Sequence, residues 1–449
     1  MERESTGDLL RQTLRIAWPA VLESFFVSLA AVIDTMMVSS LGTYAVAAVG
    51  LTVQPKFMSL ALFMSVNVAV SALVARRRGE ENQEAANRVL LTALYFTLAA
   101  CAVVTALSVG LSSQIITLCG SGADTHLPAV EYFNIIQGGM LFNVISLVIN
   151  AAQRGSGNTR IAMTTNVTSS VINVIFNYLL IGGHFGFPAL GLRGAALATV
   201  LGTVAACVLS IRSLFQPKSY VSLPLIAAEK IRAGYEVLLS ILKFAANLFA
   251  ENMAMRIGFV YTAVIAAGLG TNAFAAHNVG MNILGLTFSL GDGMQAAAVA
   301  LIGRSLGERN PDKAKRFGSL AQRVGLAIAL SVSLVLLVFG RGIFGLFFQD
   351  PEVIDMGVMI ARFIMVIDVF QISQVIYSGA LRGAGDVRYT MRVSLISAAI
   401  IRTAVTFLLT SVIPLGLAGI WLGVLADQIS RFVFYAIRFR KGEWVRLKI

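Results

Sequence analysis

Asp34 stands toward the outer end of an apolar run, within AAVIDTMMV, that is long enough to cross a lipid bilayer. A bare carboxylate at such depth costs about 3 kcal/mol on insertion scales, so it needs partners, a wet cavity or a proton. That makes Asp34 a candidate for binding and releasing protons; the plainer alternative is a structural carboxylate held by hydroxyls and amides. Amides are at hand in the sequence. Asn166, Asn173 and Asn177 are spaced by seven and four residues, so they share one face of a helix, and Asn150 lies in the preceding apolar run. An amide donates to a carboxylate and accepts from a carboxylic acid, so such a cluster serves either protonation state. Asp34, Asn150, Asn173 and Asn177 are the expected ion-coupling group, with Asn166 beside them facing a substrate cavity. The same amides would equally serve as hydrogen bonds between helices.

Glu23 precedes Asp34 by eleven residues, three turns, which puts both acids on one helix face about 16 Å apart. Glu251 has Asn247 one turn before it and Lys243 and Arg256 nearby, and it joins the ion-coupling set as a second candidate. Asp292, Asp368 and Asp427 also fall in apolar runs, with Arg256, Arg402 and Arg431 as available partners. Met36, Met37, Met58, Met64, Phe57, Phe63, Phe259, Tyr261, Phe274 and Phe288 are soft or aromatic side chains suited to a cavity that accepts many apolar shapes. Of these, Met37, Met64 and Tyr261 are the expected cavity residues, and packing or lipid contact is the alternative for each. Pro19 and Pro55 would bend the first two helices.

Cys101, Cys119 and Cys207 are isolated in apolar surroundings, and His126, His184 and His277 lack zinc spacing. There is no Walker A sequence and no paired-acid or metal-ligand pattern, so neither an intramembrane enzyme nor a metal or organic cofactor is expected; a proton, or else sodium, is the expected coupling ion.

The elements that must position these groups follow from hydropathy. At 57% hydrophobic and 13% charged over 449 residues, with mean hydropathy +0.79, the chain is too apolar for a soluble protein. Apolar runs fall near 15–40, 48–74, 90–111, 130–152, 161–183 and 193–214, then 244–268, 275–302, 318–347, 355–380, 390–412 and 418–437. The net charge of +12 is unevenly placed, the segments on one side carrying Arg3, Arg11, Arg15, Arg76 to Arg78, Arg88, Arg154, Arg160, Arg212, Lys218, Lys230, Arg232, and the matching segments up to Lys448. The opposite loops contain no Lys or Arg, which places both termini in the cytoplasm and argues against nucleic acid as a partner.

The chain also repeats itself. LGTYAVAAVG from Leu41, RRRGEENQEAANR from Arg76 and QRGSGNTR from Gln153 recur 228 residues later as LGTNAFAAHN, RSLGERNPDKAKR and LRGAGDVR. GLRGAA from Gly191 matches GLAGIWL from Gly416 after a shift of about three residues. The expected fold is an all-α integral membrane protein with about 12 transmembrane helices in two pseudo-symmetric six-helix bundles around a central cavity. Expected boundaries are 1–214, a cytoplasmic linker with a surface helix at 215–243, and 244–449. At the same offset Asp34 meets Thr262, and Asn150, Asn166, Asn173 and Asn177 meet Ser378, Ser394, Ile401 and Val405, whereas Glu23 meets Glu251. Chemistry is expected where the halves differ.

VIDTMMVSSLG at 32–42, AAHNVGMNILGLTFSLGDGMQAAAVALIGRSLGERN at 275–310, QRGSGNTR, NVIFNYLLIGG at 173–183 and SGALRGAGDVR at 378–388 together resemble the multidrug and toxic compound extrusion (MATE) transporters. The resemblance implies export of cationic, aromatic drugs or dyes against a proton or sodium gradient. Asp34 matches that family's first-helix acid and Glu251 a seventh-helix acid. Asn177 replaces a fifth-helix acid found in some members, and Gln371 aligns with a tenth-helix acid of the sodium-linked branch, one turn after Asp368; Asp368 and Gln371 are expected at the substrate cavity. A monomer in a bacterial inner membrane, with drugs or dyes and the lipid bilayer as partners, is the resulting expectation. A flippase of the wider superfamily, which would want basic residues inside its cavity, is the alternative.

Overall fold

The repeated motifs fold into repeated turns. The computed structural model describes residues 6–217 and 219–447, so that Arg3, Lys218 and Lys448 lie outside the described residues. Gly42 and Gly270 take φ of 107° and 106°, where a side chain is strained, and each starts the second helix of its half. Glu81 and Arg309 reverse the chain at φ 57° and 54°. The residue after each is an asparagine that caps the next helix: Asn82 accepts from the Ala85 amide at 2.8 Å, Asn310 from that of Lys313 at 3.0 Å.

Among the described residues, twelve long helices run between these turns. In the first repeat they are α1 (Thr6–Ser39), α2 (Thr43–Gly79), α3 (Gln83–Gly110), α4 (126–155), α5 (Thr159–Gly182) and α6 (Leu192–Ser213). Helix α4 is bent by 45° between the segments His126–Gly138 and Met140–Gly155. In the second repeat they are α7 (Tyr235–Gly268), α8 (Thr271–Gly307), α9 (Pro311–Gly345), α10 (Pro351–Gly383), α11 (Val387–Val412) and α12 (Leu417–Lys441). Among the described residues nine helices are long and apolar enough to cross a membrane, and the bent pair makes ten. The two long helices outside that set, α5 and α10, carry the asparagine row and Asp368 with Gln371. Pro19 and Pro55 lie inside α1 and α2.

Two compact units form, and their limits differ from the expected ends of the linker. One holds the described residues through Val21 together with those from Asn247 onward; the other is Leu22–Ala246. The start of α1 joins the second-repeat unit because small residues on α8 admit it. Leu9 packs with Leu301, Phe317 and Leu320, and Ala17 with Met294, Ala297 and Ala298. A Cβ on Gly293 would come within 2.5 Å of Val21 Cα. The expected surface helix is reduced to Leu223–Ala228, because the amphipathic stretch beyond it is taken into α7 from Tyr235. The linker is fastened to its unit: the Tyr220 carbonyl accepts from Gln83 and Asn87, and Ser219 accepts from Gln153.

The halves differ in one backbone feature. Where α5 is regular, α11 contains two π-helical stretches, Leu395–Ile401 and Leu408–Val412, with Arg402 at the start of the α-helical turn between them.

Candidate functional site

Asp34 is half-buried on α1, and Asn177, fully buried on α5, donates to its Oδ1 at 2.6 Å. The chain of polar groups continues along α5 and across to α6. Asn177 Nδ2 also approaches Asn173 Oδ1 at 3.5 Å, and Asn173 Nδ2 donates to Thr199 Oγ1 at 3.2 Å. Asn177 Oδ1 is buried and takes no hydrogen bond among the described residues. The amide therefore presents a donor engaged with the carboxylate and an idle acceptor, which suits an aspartate that exchanges a proton.

Lys56, which the sequence reading passed over, belongs to this neighbourhood. It follows Pro55 in α2 and lies within electrostatic reach of Asp34. Its side chain lines a small pocket, open to its surroundings, together with Gln137, Asn143, Thr199 and Thr203. Thr199 thus belongs both to the pocket wall and to the hydrogen-bond chain that ends on Asp34. The one signal in the sequence was a lysine in mid-span, where charge is costly.

The symmetric acids are engaged differently. Glu23 Oε1 accepts from Arg154 Nη1 at 2.8 Å and from Asn166 Nδ2 at 2.6 Å, and Arg154 Nη2 reaches Asn67 Oδ1 at 3.3 Å. Glu251 Oε1 pairs with Arg382 Nη2 at 3.0 Å and accepts from Ser394 at 2.8 Å, and Arg382 Nη1 donates to Gln295 at 3.1 Å. Every residue of the second network stands 228 positions after its counterpart in the first. Thr390 and Tyr435 add donors to Glu251 at 3.0 and 3.5 Å. The repeated segments QRGSGNTR and LRGAGDVR thus each deliver an arginine to an acid. A Cβ on Gly155 would come within 2.4 Å of the Ser71 carbonyl oxygen, and one on Gly383 within 2.6 Å of that of Val299. Only glycine lets these helix ends close and bring the preceding arginine into place.

The structure therefore divides the expected cluster. Asn173 and Asn177 belong with Asp34, whereas Asn166 bonds Glu23 three turns away. Asn150 is fully buried with Ser146, Ser210 and Asn166. It thus sits beside Asn166, which precedes Asn177 on α5 by eleven positions, a rise of about 16 Å. Met37 packs on the core around Val38, Ala45 and Ala48, and Phe63 on that around Cys101 and Met140. Met36, Met58 and Met64 are exposed, and Tyr261 is half-buried on α7. Asp368 is fully buried, accepting from Thr287 at 2.7 Å, and Gln371 is buried one turn on. Asp427 takes a bidentate pair from Arg431, both contacts 2.7 Å, and an ion pair from Arg402 at 3.4 Å.

A duplicated six-helix sequence, folded into apolar helices of spanning length and carrying paired charges and an amide-held aspartate within them, defines a multi-pass membrane transporter. The chain belongs to the MatE family, whose model matches residues 19–179 and 248–408. It is 26% identical to a protein of Thermotoga maritima named "Probable multidrug resistance protein NorM", over 99% of this chain and 95% of that one. It is 28% identical to a Bradyrhizobium diazoefficiens protein of the same name, over 97% and 94%. A solved structure described as an outward-facing conformation of a multidrug resistance MATE family transporter shares the fold, with a TM-score of 0.89, 23% identity and coverage of 99% and 100%. So does a transporter from Pyrococcus furiosus, with a TM-score of 0.89 and 24% identity over 99% and 100%.

Proposed function

We propose that this protein is a secondary active multidrug efflux antiporter of a bacterial inner membrane, acting as a monomer with both termini in the cytoplasm. It exports cationic, aromatic amphipathic compounds by alternating access and is driven by protons bound at Asp34. The observation that carries this reading is the 2.6 Å bond from Asn177 to Asp34, which the second repeat lacks. The names borne by the relatives support drugs as cargo.

Lys56 supplies a coupling step. While Asp34 is ionised it offsets the Lys56 charge, and a cationic substrate is tolerated nearby. Protonation removes that negative charge and leaves Lys56 to repel the cation, while Asn177 turns from donor to acceptor through its idle Oδ1. Proton and drug then favour different states, as antiport requires. A sodium site at Glu251 is less well supported, since its oxygens already receive Arg382 and three hydroxyl donors.

Export of a fluorescent cation from proteoliposomes tests the proposal, with a proton gradient or a sodium gradient imposed in turn. Transport under the proton gradient alone, lost in Asp34→Asn, is expected; transport under sodium alone contradicts it. A second reading has one observation behind it. The Lys56-lined pocket suits an anionic group, as on a lipid-linked substrate, and translocation of a labelled anionic lipid with no movement of the dye would favour a flippase.

A further inference from the structure

Arg402 is completely buried, and none of its three guanidinium nitrogens has a hydrogen-bond partner among the described residues. Its ion pair at Asp427 is long, 3.4 Å, because Arg431 already grips both carboxylate oxygens. Its planar face rests over the Phe259 ring at 4.6 Å, which supports the cation without giving its N–H groups an acceptor. A buried charge left in this condition is costly, and native interiors answer such groups with a partner.

The surroundings add donors. Trp421 Nε1, an obligate donor, is buried and without a partner among the described residues, as are Thr406 Oγ1, one turn after Arg402, and His277 Nδ1. The His277 and Trp421 rings meet edge to face at 5.6 Å, and His277 is within electrostatic reach of Arg402. Gly423 closes α12 onto the same turn: a Cβ there would lie 2.1 Å from Thr406 Oγ1 and 3.2 Å from the Arg402 carbonyl oxygen. Charge points the same way. The connected network of Arg402, Arg431 and Arg382 with Asp427 and Glu251 sets three guanidinium groups against two carboxylates. The two π-helical stretches that flank Arg402 are absent from the matching helix of the first repeat, and such stretches recur at functional sites.

We infer that Arg402, Trp421, Thr406 and His277 form an internal site for one small monovalent anion of the chloride class, held by the Arg402 guanidinium and the Trp421 indole N–H. The site lies wholly within the second-repeat unit and is separate from Asp34. An anion there neutralises the surplus charge and supplies the acceptor that Arg402, Trp421 and Thr406 lack.

Crystals of the whole protein grown in bromide test this without any substitution. An anomalous peak within hydrogen-bond distance of the Arg402 guanidinium is expected; density without anomalous signal, meaning water alone, overturns the inference. In solution, bromide should raise the Tm of the wild-type protein relative to gluconate at equal ionic strength. Trp421→Phe removes the indole N–H donor together with the five-membered ring that carries it, and it should weaken bromide binding at least tenfold. Equal stability in the two salts, or unchanged bromide affinity in Trp421→Phe, contradicts the site as assigned.

Discussion

Asn177 bonds Asp34 across the same 143-residue step by which Asn166 bonds Glu23, so α1 and α5 are linked by two rungs three turns apart. The second repeat keeps the lower rung, from Ser394 to Glu251 at that same step, and lacks the upper one. Val405 and Thr262 stand where it would be, and Thr262 spends its hydroxyl on its own helix, bonding the carbonyls of Gly258 and Phe259. The lower rung is shared scaffold. The upper rung is the addition that one half has and the other does not.

Asn177→Val places the second-repeat residue on the first. It removes a donor that stabilises the ionised carboxylate, an interaction worth about 1.5–3 kcal/mol. The midpoint of the pH profile of dye transport should move to more alkaline values by roughly one to two pH units. An amide serving only as a link between helices would lower stability and leave that midpoint in place.

Lys56→Met removes the cation near Asp34 and its share of the pocket wall. Cationic dyes should bind more tightly, with KM falling several-fold, while release driven by protonation slows. Unchanged KM and kcat would remove Lys56 from the mechanism.

Breaking the repeated pairs should affect stability before function. Removing one partner of a buried ion pair costs about 3–5 kcal/mol. Arg382→Met should cost more than Arg154→Met, because Glu251 is more enclosed than Glu23, with side-chain exposures of 3% and 10%. Thermal unfolding in detergent, with Glu23→Gln and Glu251→Gln completing double-mutant cycles, measures each coupling.

Gly155→Ala and Gly383→Ala push a methyl group into backbone oxygens at 2.4 and 2.6 Å. Rigid helix backbone yields little, and overpacking of this kind costs about 1–3 kcal/mol. Both variants should lower Tm, whereas Gly50→Ala, where a Cβ inside α2 meets nothing within 4 Å, should hold it or raise it slightly.

The scaffold was legible because its turns are built from residues with special backbone needs, and those recur in the sequence: Gly42 with Gly270, Asn82 with Asn310, Gly155 with Gly383. Asp34 with Asn177 was legible too, since both are polar in apolar runs and neither has an equivalent in the second half. Helical periodicity gave Asn166 the right face at the wrong height, because a shared face says nothing about position along the axis. Arg154 and Arg382 carried a signal that went unused: they repeat at the same offset as Glu23 and Glu251, and pairing the two lists would have found both networks. The π-helical stretches around Arg402 had no local signature in composition, and α7 approaches one of them closely, a Cβ on Gly258 lying 2.4 Å from the Ala398 carbonyl oxygen.

Proton release on substrate binding tests the central claim most directly. Linkage requires that a ligand competing with a proton at Asp34 displace it, and that the effect be reciprocal. Purified protein in weakly buffered detergent, mixed with a cationic dye, should release about one proton per dye bound, and Asp34→Asn should bind dye and release none. Equal proton release from Asp34→Asn and the wild-type protein would contradict the assignment of Asp34 as the coupling site.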